Sequence, residues 1–425
     1  TLESVQALIP PGAALLEFVS YYPSDPKKRG RAPRSYVAYA IKNQEEVAWV
    51  DLGEAEGIDS SIRALREALR DPDRDDVKSL ARAADEKVMQ PVRALLGGAR
   101  TLLISPDGVL NLLPFGALVD EQGRYLIEQY SLTYLTTGRD LLRMQSRAQT
   151  ARGAMVIANP DFGEPAGAES ERGLKIKKGE VVVARQSDKE AVDFSQVYFG
   201  PLPGTADEAK ALKAMLPGAN VMTESLATEK ALKQMVPHAI LHIATHGFFL
   251  EDLLINSSQP SSRGLFIRGD RRDEAAASEM VIGNQLLRAG LAMTGANLHR
   301  SGEDDGVLTA LEVAGLNLWG TKLVVLSACD TGVGTVRNGE GVFGLRRALV
   351  LAGSETQVMS LWPVSDEGTR DLMIGYYRGL QAGQGRSEAL RQILLNILKS
   401  DDRKHPYYWA SFIQSGEWGS LDGKR

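Results

Sequence analysis

Apolar positions along this chain follow two periods. Short unbroken apolar runs, bounded by Gly, Asp, Asn or Pro, occur at Ala154 to Ala158, Asn220 to Thr223, Ala239 to His246, Leu323 to Ala328, Thr356 to Val364 and Tyr408 to Trp418. Runs of this length read as strands covered on both faces. Between them, apolar residues recur at helical spacing in Thr205 to Leu216, Ala227 to Met235, Thr309 to Leu316, Gly341 to Leu351, Asp366 to Leu380 and Ser387 to Leu398. Thr205 followed by Glu208 predicts a capping box for the first of these. Strands alternating with helices give an α/β protein with a three-layer α/β/α sheet over residues 151–425.

Residues 1–150 read as a second, smaller α/β unit. Ala14 to Tyr21 and Ser35 to Val50 alternate like an antiparallel pair, with a Pro/Lys/Arg-rich loop 23–34 between them. Helices follow at Ile58 to Leu69 and Val77 to Leu95. A strand, Thr101 to Ser105, then runs into Pro106-Asp107-Gly108. The polar stretch 146–152 marks the expected boundary. Residues 162–200, rich in Gly, Glu and Lys with a weak hairpin near Lys175 to Arg185, read as an exposed insertion. Residues 250–305 read as a surface flap or mobile loop. Within the flap, Gly264 to Arg268 is a possible strand, and Arg263, Arg268, Arg271 and Arg272 are candidate self-cleavage positions.

Composition narrows the function. The chain has 425 residues, 43% hydrophobic and 24% charged, with a net charge of −5. That balance gives no general basic footprint for nucleic acid. There is no signal peptide and no apolar run of membrane-spanning length, so a cytoplasmic protein is expected. One cysteine in the whole chain excludes an internal disulfide. No Cys/His cluster has zinc-ligand spacing, and neither a metal nor another cofactor is expected.

That cysteine, Cys329, ends the run KLVVLSAC, and His246-Gly247 ends the run AILHIATHG. Two such strands side by side in a parallel sheet place a thiol and an imidazole at one edge, where open α/β sheets carry out their chemistry. The imidazole takes the thiol proton, before attack or during it. A glycine allows close backbone approach, so the N–H groups of Gly247 and Cys329 are candidate oxyanion donors. His242 lies inside the apolar run and reads as a core histidine. His238, His299 and His405 read as structural or exposed.

Ala244-Thr245-His246-Gly247 and Ser327-Ala328-Cys329-Asp330-Thr331 resemble the signature of the CHAT family, caspase-like cysteine peptidases related to separase. Asn338-Gly339-Glu340-Gly341, Ala352-Gly353, Ser360 to Asp366 and His405 to Ala410 extend the resemblance, in order, over at least residues 100–420. The resemblance implies a caspase-like fold and a cysteine endopeptidase working through the dyad Cys329 and His246. By the same resemblance, residues 1–150 are an inactive pseudo-caspase-like partner domain; a plain N-terminal extension of the sheet is the other reading. The strand after the cysteine, with Ser360 and Trp362, lines the pocket for the residue preceding the cut. Asp366 stands where separases carry an acidic residue, so cleavage after Arg or Lys is expected. Ser365 and Asp366 equally suit the N-cap of the next helix. Glu340 is either a pocket acid or a charge at a helix start, in a glycine-rich loop that would order on activation.

The expected partners are a protein substrate and upstream TPR repeats or an activator protein, with no direct nucleic-acid or membrane contact. The chain begins at Thr1, and no 34-residue period is visible in it. Regulated effectors in bacterial defence or cell death are the implied role. Other readings stay open: a catalytically inactive scaffold for protein–protein interaction, a cysteine acyltransferase or amidase, and, from Gly332-Val333-Gly334, a nucleotide-binding module. Glu303-Asp304-Asp305 suggests either a calcium-dependent relative or an acidic approach to the following helix.

Overall fold

Among the described residues of the computed structural model, eleven strands form one sheet. Those residues are 1–23, 32–146, 151–164, 181–183, 197–249, 285–327, 335–337, 341–362 and 366–424. In chain order the strands are β1 (Ala13–Tyr21), β2 (Ser35–Ile41), β3 (Ala48–Glu54), β4 (Thr101–Ser105), β5 (Ser131–Tyr134), β6 (Ala154–Pro160), β7 (Asn220–Glu224), β8 (Ile240–Ala244), β9 (Leu323–Leu326), β10 (Thr356–Ser360) and β11 (Phe412–Gly416). The helices used below are α1 (Ala55–Leu69), α2 (Val77–Val88), α3 (Pro203–Met215), α4 (Ala310–Ala314), α5 (Leu345–Leu351), α6 (Asp366–Gln381) and α7 (Arg386–Leu398).

The sheet order is β3-β2-β1-β4-β5-β11-β10-β9-β8-β6-β7. β6 to β10 run parallel to one another, whereas β11 pairs antiparallel with β10 and parallel with β5. β5, β4 and β1 follow the direction of β11. Strand direction therefore reverses at the β10–β11 pair. The carboxyl ends of β8 and β9 lie on one edge of the sheet and that of β4 on the opposite edge.

The central strands are apolar because both of their faces are covered. All four residues of β9, LVVL, are fully buried, and each such side chain contributes about 1.5–3 kcal/mol of burial. His242, Val325 and Val358 are in register on one face. Tyr377 of α6 and Glu208 of α3 close over His242 there. On the other face Gln357 bonds Ser354, whose hydroxyl donates to the last turn of α5, and α4 packs beside α5. The three-layer α/β/α arrangement expected for residues 151–425 is present. Residues 1–146 continue the same sheet, and the seam is the single pairing Ser415 with Tyr134. From α7, Arg391 hooks the carbonyls of Ile127, Glu128 and Tyr130 across this seam.

Several local expectations change. The stretch from Ser35 to Val50 makes two strands with a turn between them, and Val77 to Leu95 makes two helices that part at Met89, with Pro91 opening the second. Helix α3 starts at Pro203, so Thr205 is inside it and bonds the Leu202 carbonyl at 2.7 Å rather than capping the helix with Glu208. Tyr408 and Trp409 lie in a short helical turn, Pro406–Trp409, ahead of β11. The ends of the 162–200 insertion are buried at Phe162, Phe199 and Gly200, and Val181–Val183 pairs with Val197–Phe199. The end of the 250–305 segment is core as well. Its strand Ala289–Ala292 is wholly buried between Gly247–Phe249 and Val307–Thr309. The candidate cleavage arginines and the strand near Gly264 lie outside the described residues. No helix among the described residues is long and apolar enough to cross a membrane.

Candidate active site

β8 ends at Ala244, and Thr245, His246 and Gly247 carry the chain off the sheet edge into the strand Gly247–Phe249. That strand pairs with Ala289–Ala292, and the Ala292 N–H donates to the His246 carbonyl at 2.9 Å. The backbone of the histidine turn is thereby clamped from one side, and Gly247 is buried at the turn.

The imidazole of His246 is fully buried against Phe162, at 5.3 Å between ring centres, and Phe199, at 5.8 Å. Asn297 fixes both neighbours. Its amide donates to the carbonyls of Gly163 and Phe199, and its oxygen accepts the Phe199 N–H at 2.9 Å. His246 Nε2 lies 2.7 Å from the Gly200 carbonyl. A carbonyl only accepts, so Nε2 carries the proton and Nδ1 presents its lone pair. Nδ1 is buried with no hydrogen-bond partner among the described residues. Burial pushes the His246 pKa down to about 4 against the smaller opposing effect of the Gly200 bond. At neutral pH the ring is an unprotonated base with one free acceptor nitrogen.

β9 lies beside β8 with Leu326 in register with Ile243, and the Ser327 N–H bonds the Ile243 carbonyl at 2.9 Å. His246 and Cys329 each stand three residues beyond that aligned pair in sequence. Cys329 itself lies outside the described residues, as do Glu340, Ser365 and the side chain of Asp366. Ser360 ends β10 on the same edge, 2% exposed. Trp362 is 1% exposed, its indole N–H donating to the Tyr407 carbonyl at 3.1 Å. The N-terminal unit reaches this strand end through Arg70, whose guanidinium bonds the Leu361 carbonyl at 3.4 Å.

A family pattern, the CHAT domain, matches residues 78–417. The chain belongs to the CHAT domain family. Among curated proteins, human tetratricopeptide repeat protein 28 is 25% identical over 391 residues, which is 81% of this chain and 14% of that protein. The chain thus spans about a seventh of the length of that relative. Among solved structures it is similar to the Saccharomyces cerevisiae separase–securin complex, with a TM-score of 0.49 at 8% identity over 98% of this chain and 30% of that one. It is also similar to the Arg-specific cysteine proteinase gingipain R (RgpB) of Porphyromonas gingivalis, with a TM-score of 0.40 at 8% identity over 86% of this chain and 74% of that one.

Sequence reasoning missed several residues of this CHAT domain site. Gly200, Phe162, Phe199 and Asn297 come from segments read as insertions, and no local pattern marks them. Glu208 did carry a signal. Thr205, Glu208, Ala209 and Leu212 are all buried on one stripe of α3, so the carboxylate falls at a core position. His242 is the core histidine that was expected, fully buried between Tyr377 and Glu208. The acidic run near 303–305 is tied to a lysine. Lys233 contacts Asp304, Glu229 and Glu312, and Thr309 with Glu312 forms the capping box of α4. No group of metal-ligating side chains occurs among the described residues.

Proposed function

We propose that this CHAT domain is a cysteine endopeptidase in which Cys329 is the nucleophile and His246 the general base and acid. The observation that carries this reading is the His246 ring, with Nε2 held by the Gly200 carbonyl and Nδ1 buried and unused, at the edge where β9 leads to Cys329. With His246 neutral, the thiol proton passes to Nδ1 as sulfur attacks the scissile carbonyl, and the imidazolium then protonates the leaving amine. Gly247 N–H, with that of Cys329, is the proposed oxyanion donor pair. General base help is worth about 10²–10⁴-fold and one oxyanion donor about 10²–10³-fold.

Ser360, Trp362, Glu340 and Asp366 are proposed to shape the pocket before the cut, with Asp366 selecting Arg or Lys. A role as a regulated effector with protein partners, and residues 1–150 as its inactive partner domain, belong to the same proposal. The deciding experiment digests a mixed peptide library with wild type and Cys329→Ala and reads the cuts by mass spectrometry. Cuts after Arg or Lys that vanish in the variant are expected. Cuts at other residues overturn the part assigned to Asp366, and cuts equal in both proteins overturn the nucleophile.

A further inference from the structure

Beneath the site lies a buried polar chain that the dyad chemistry does not use. Ser327, two residues before Cys329, donates its hydroxyl proton to Glu208 Oε2 at 2.9 Å. Glu208 Oε1 lies 3.1 Å from His242 Nε2, out of line for a hydrogen bond. His242 Nδ1 lies 3.1 Å from the Tyr377 hydroxyl. Burial, with Tyr376 and Glu208 nearby, keeps the Tyr377 phenol protonated well past its ordinary range. The phenol can donate to Nδ1 or accept from it, so this bond holds in either tautomer of His242. Tyr377 and His242 are fully buried, Glu208 is 2% exposed and Ser327 is 4% exposed.

A carboxyl group in an apolar layer is costly unless its oxygens are matched to donors. Here Ser327, just beyond β9, supplies the donor to Oε2, and His242 of β8 stands 3.1 Å from Oε1. Glu208 also belongs to α3, which begins three residues after Gly200, and Thr205 of its first turn holds the Leu202 carbonyl. One side chain thus joins the branch leading to Cys329, the strand leading to His246 and the helix behind the carbonyl that orients His246.

We propose that Glu208 is a positioning residue, which through Ser327 and His242 sets the register in which His246 meets Cys329. The proposal rests on the dyad reading above. Glutamine suits the same geometry: its oxygen accepts from Ser327, and its amide takes the place of Oε1 beside His242. Alanine leaves Ser327 without its acceptor and opens a gap beside His242.

Cys329 is the only cysteine in the sequence, so alkylation by iodoacetamide reports on it alone. At about pH 6 an ordinary thiol is almost wholly protonated and reacts slowly without a base, whereas at about pH 10 it is a thiolate and needs none. The ratio of the two rates therefore measures help from the imidazole and is insensitive to access. His246→Ala is expected to lower the ratio about tenfold or more, Glu208→Ala and Ser327→Ala about tenfold, and Glu208→Gln less than about twofold. Melting temperatures are recorded in parallel, and if Glu208→Ala does not fold, Ser327→Ala decides alone. A wild-type ratio in Ser327→Ala and Glu208→Ala, with a lowered one in His246→Ala, overturns the positioning role and leaves the dyad standing. An unchanged ratio in His246→Ala overturns the dyad and the positioning role with it. Equal loss of rate at both pH values in Ser327→Ala marks altered access and also overturns the proposal.

Discussion

Two strands of this sheet end in the same layout, an apolar run followed by a polar residue and a glycine, and they do opposite things. At the end of β4, Asp107 accepts the N–H of Gly108 at 2.7 Å and that of Ser20 at 2.9 Å. Gly108 has a φ of 55°, and a Cβ there would stand 2.2 Å from the Tyr36 hydroxyl, itself held by Asp59 at 3.0 Å. That edge commits its polar atoms to closing its own turn. At the end of β8, His246 bonds Gly200 with one nitrogen and leaves the other buried with no partner among the described residues. A buried polar atom without a partner costs about 1–3 kcal/mol; at the β8 turn that atom is the acceptor nitrogen of a base, whereas at the β4 turn it is the Ser20 hydroxyl. The reversal at β10–β11 also puts the carboxyl ends of β4 and β8 on opposite edges of the sheet.

The sharpest test of this difference is His246→Ala, expected to lower kcat/KM on a cleaved peptide, measured per folded molecule, about 10²–10⁴-fold. Folding stability should next separate the two edges by pH. The unfolded chain binds a proton at His246 near the ordinary value of about 6.5, and the folded chain only near about 4. Stability contributed by the neutral ring is complete above about pH 6.5 and is lost as pH falls toward about 4, by about 3 kcal/mol. Urea unfolding of wild type and His246→Gln across that range should show a slope smaller in the variant by that amount.

The β4 turn should respond in stability alone. Gly108→Val is expected to cost about 2 kcal/mol or more, from the left-handed backbone and the Tyr36 contact, with kcat per folded molecule retained. Asn297→Ala releases the loops that bear Phe162 and Phe199 against His246, and kcat should fall about tenfold with KM nearly unchanged. The smallest effect belongs to Asp107→His, for which cleavage by Cys329→Ala should stay at background. Restored cleavage in that double variant would break the comparison.

Much of the fold was legible in local pattern. Apolar runs of four to seven residues marked β4, β6, β8, β9 and β10 because burial on both faces demands them, and helical spacing marked α3, α6 and α7. His246, Gly247 and Cys329 stood out because they end such runs. Glu208 was misread because Ser, Thr and Glu at capping spacing look alike whether they face water or core. Pro203 decided the matter by starting the helix two residues earlier. Trp362 lay in the pocket strand by sequence, yet packing buries it and fixes its indole on Tyr407.

By itself, then, the sequence determined most of the strands and helices and which residues end the two candidate runs, since each depends on a period or a turn within a dozen neighbours. Tertiary structure alone decided which nitrogen of His246 bonds a carbonyl, that Gly200 and Asn297 frame the ring, and that one glutamate from α3 bonds Ser327 beside His242. Those relations connect residues 46, 51 and 119 positions apart. No local period encodes such pairings, which arise only when the layers pack and each buried polar atom must find its partner.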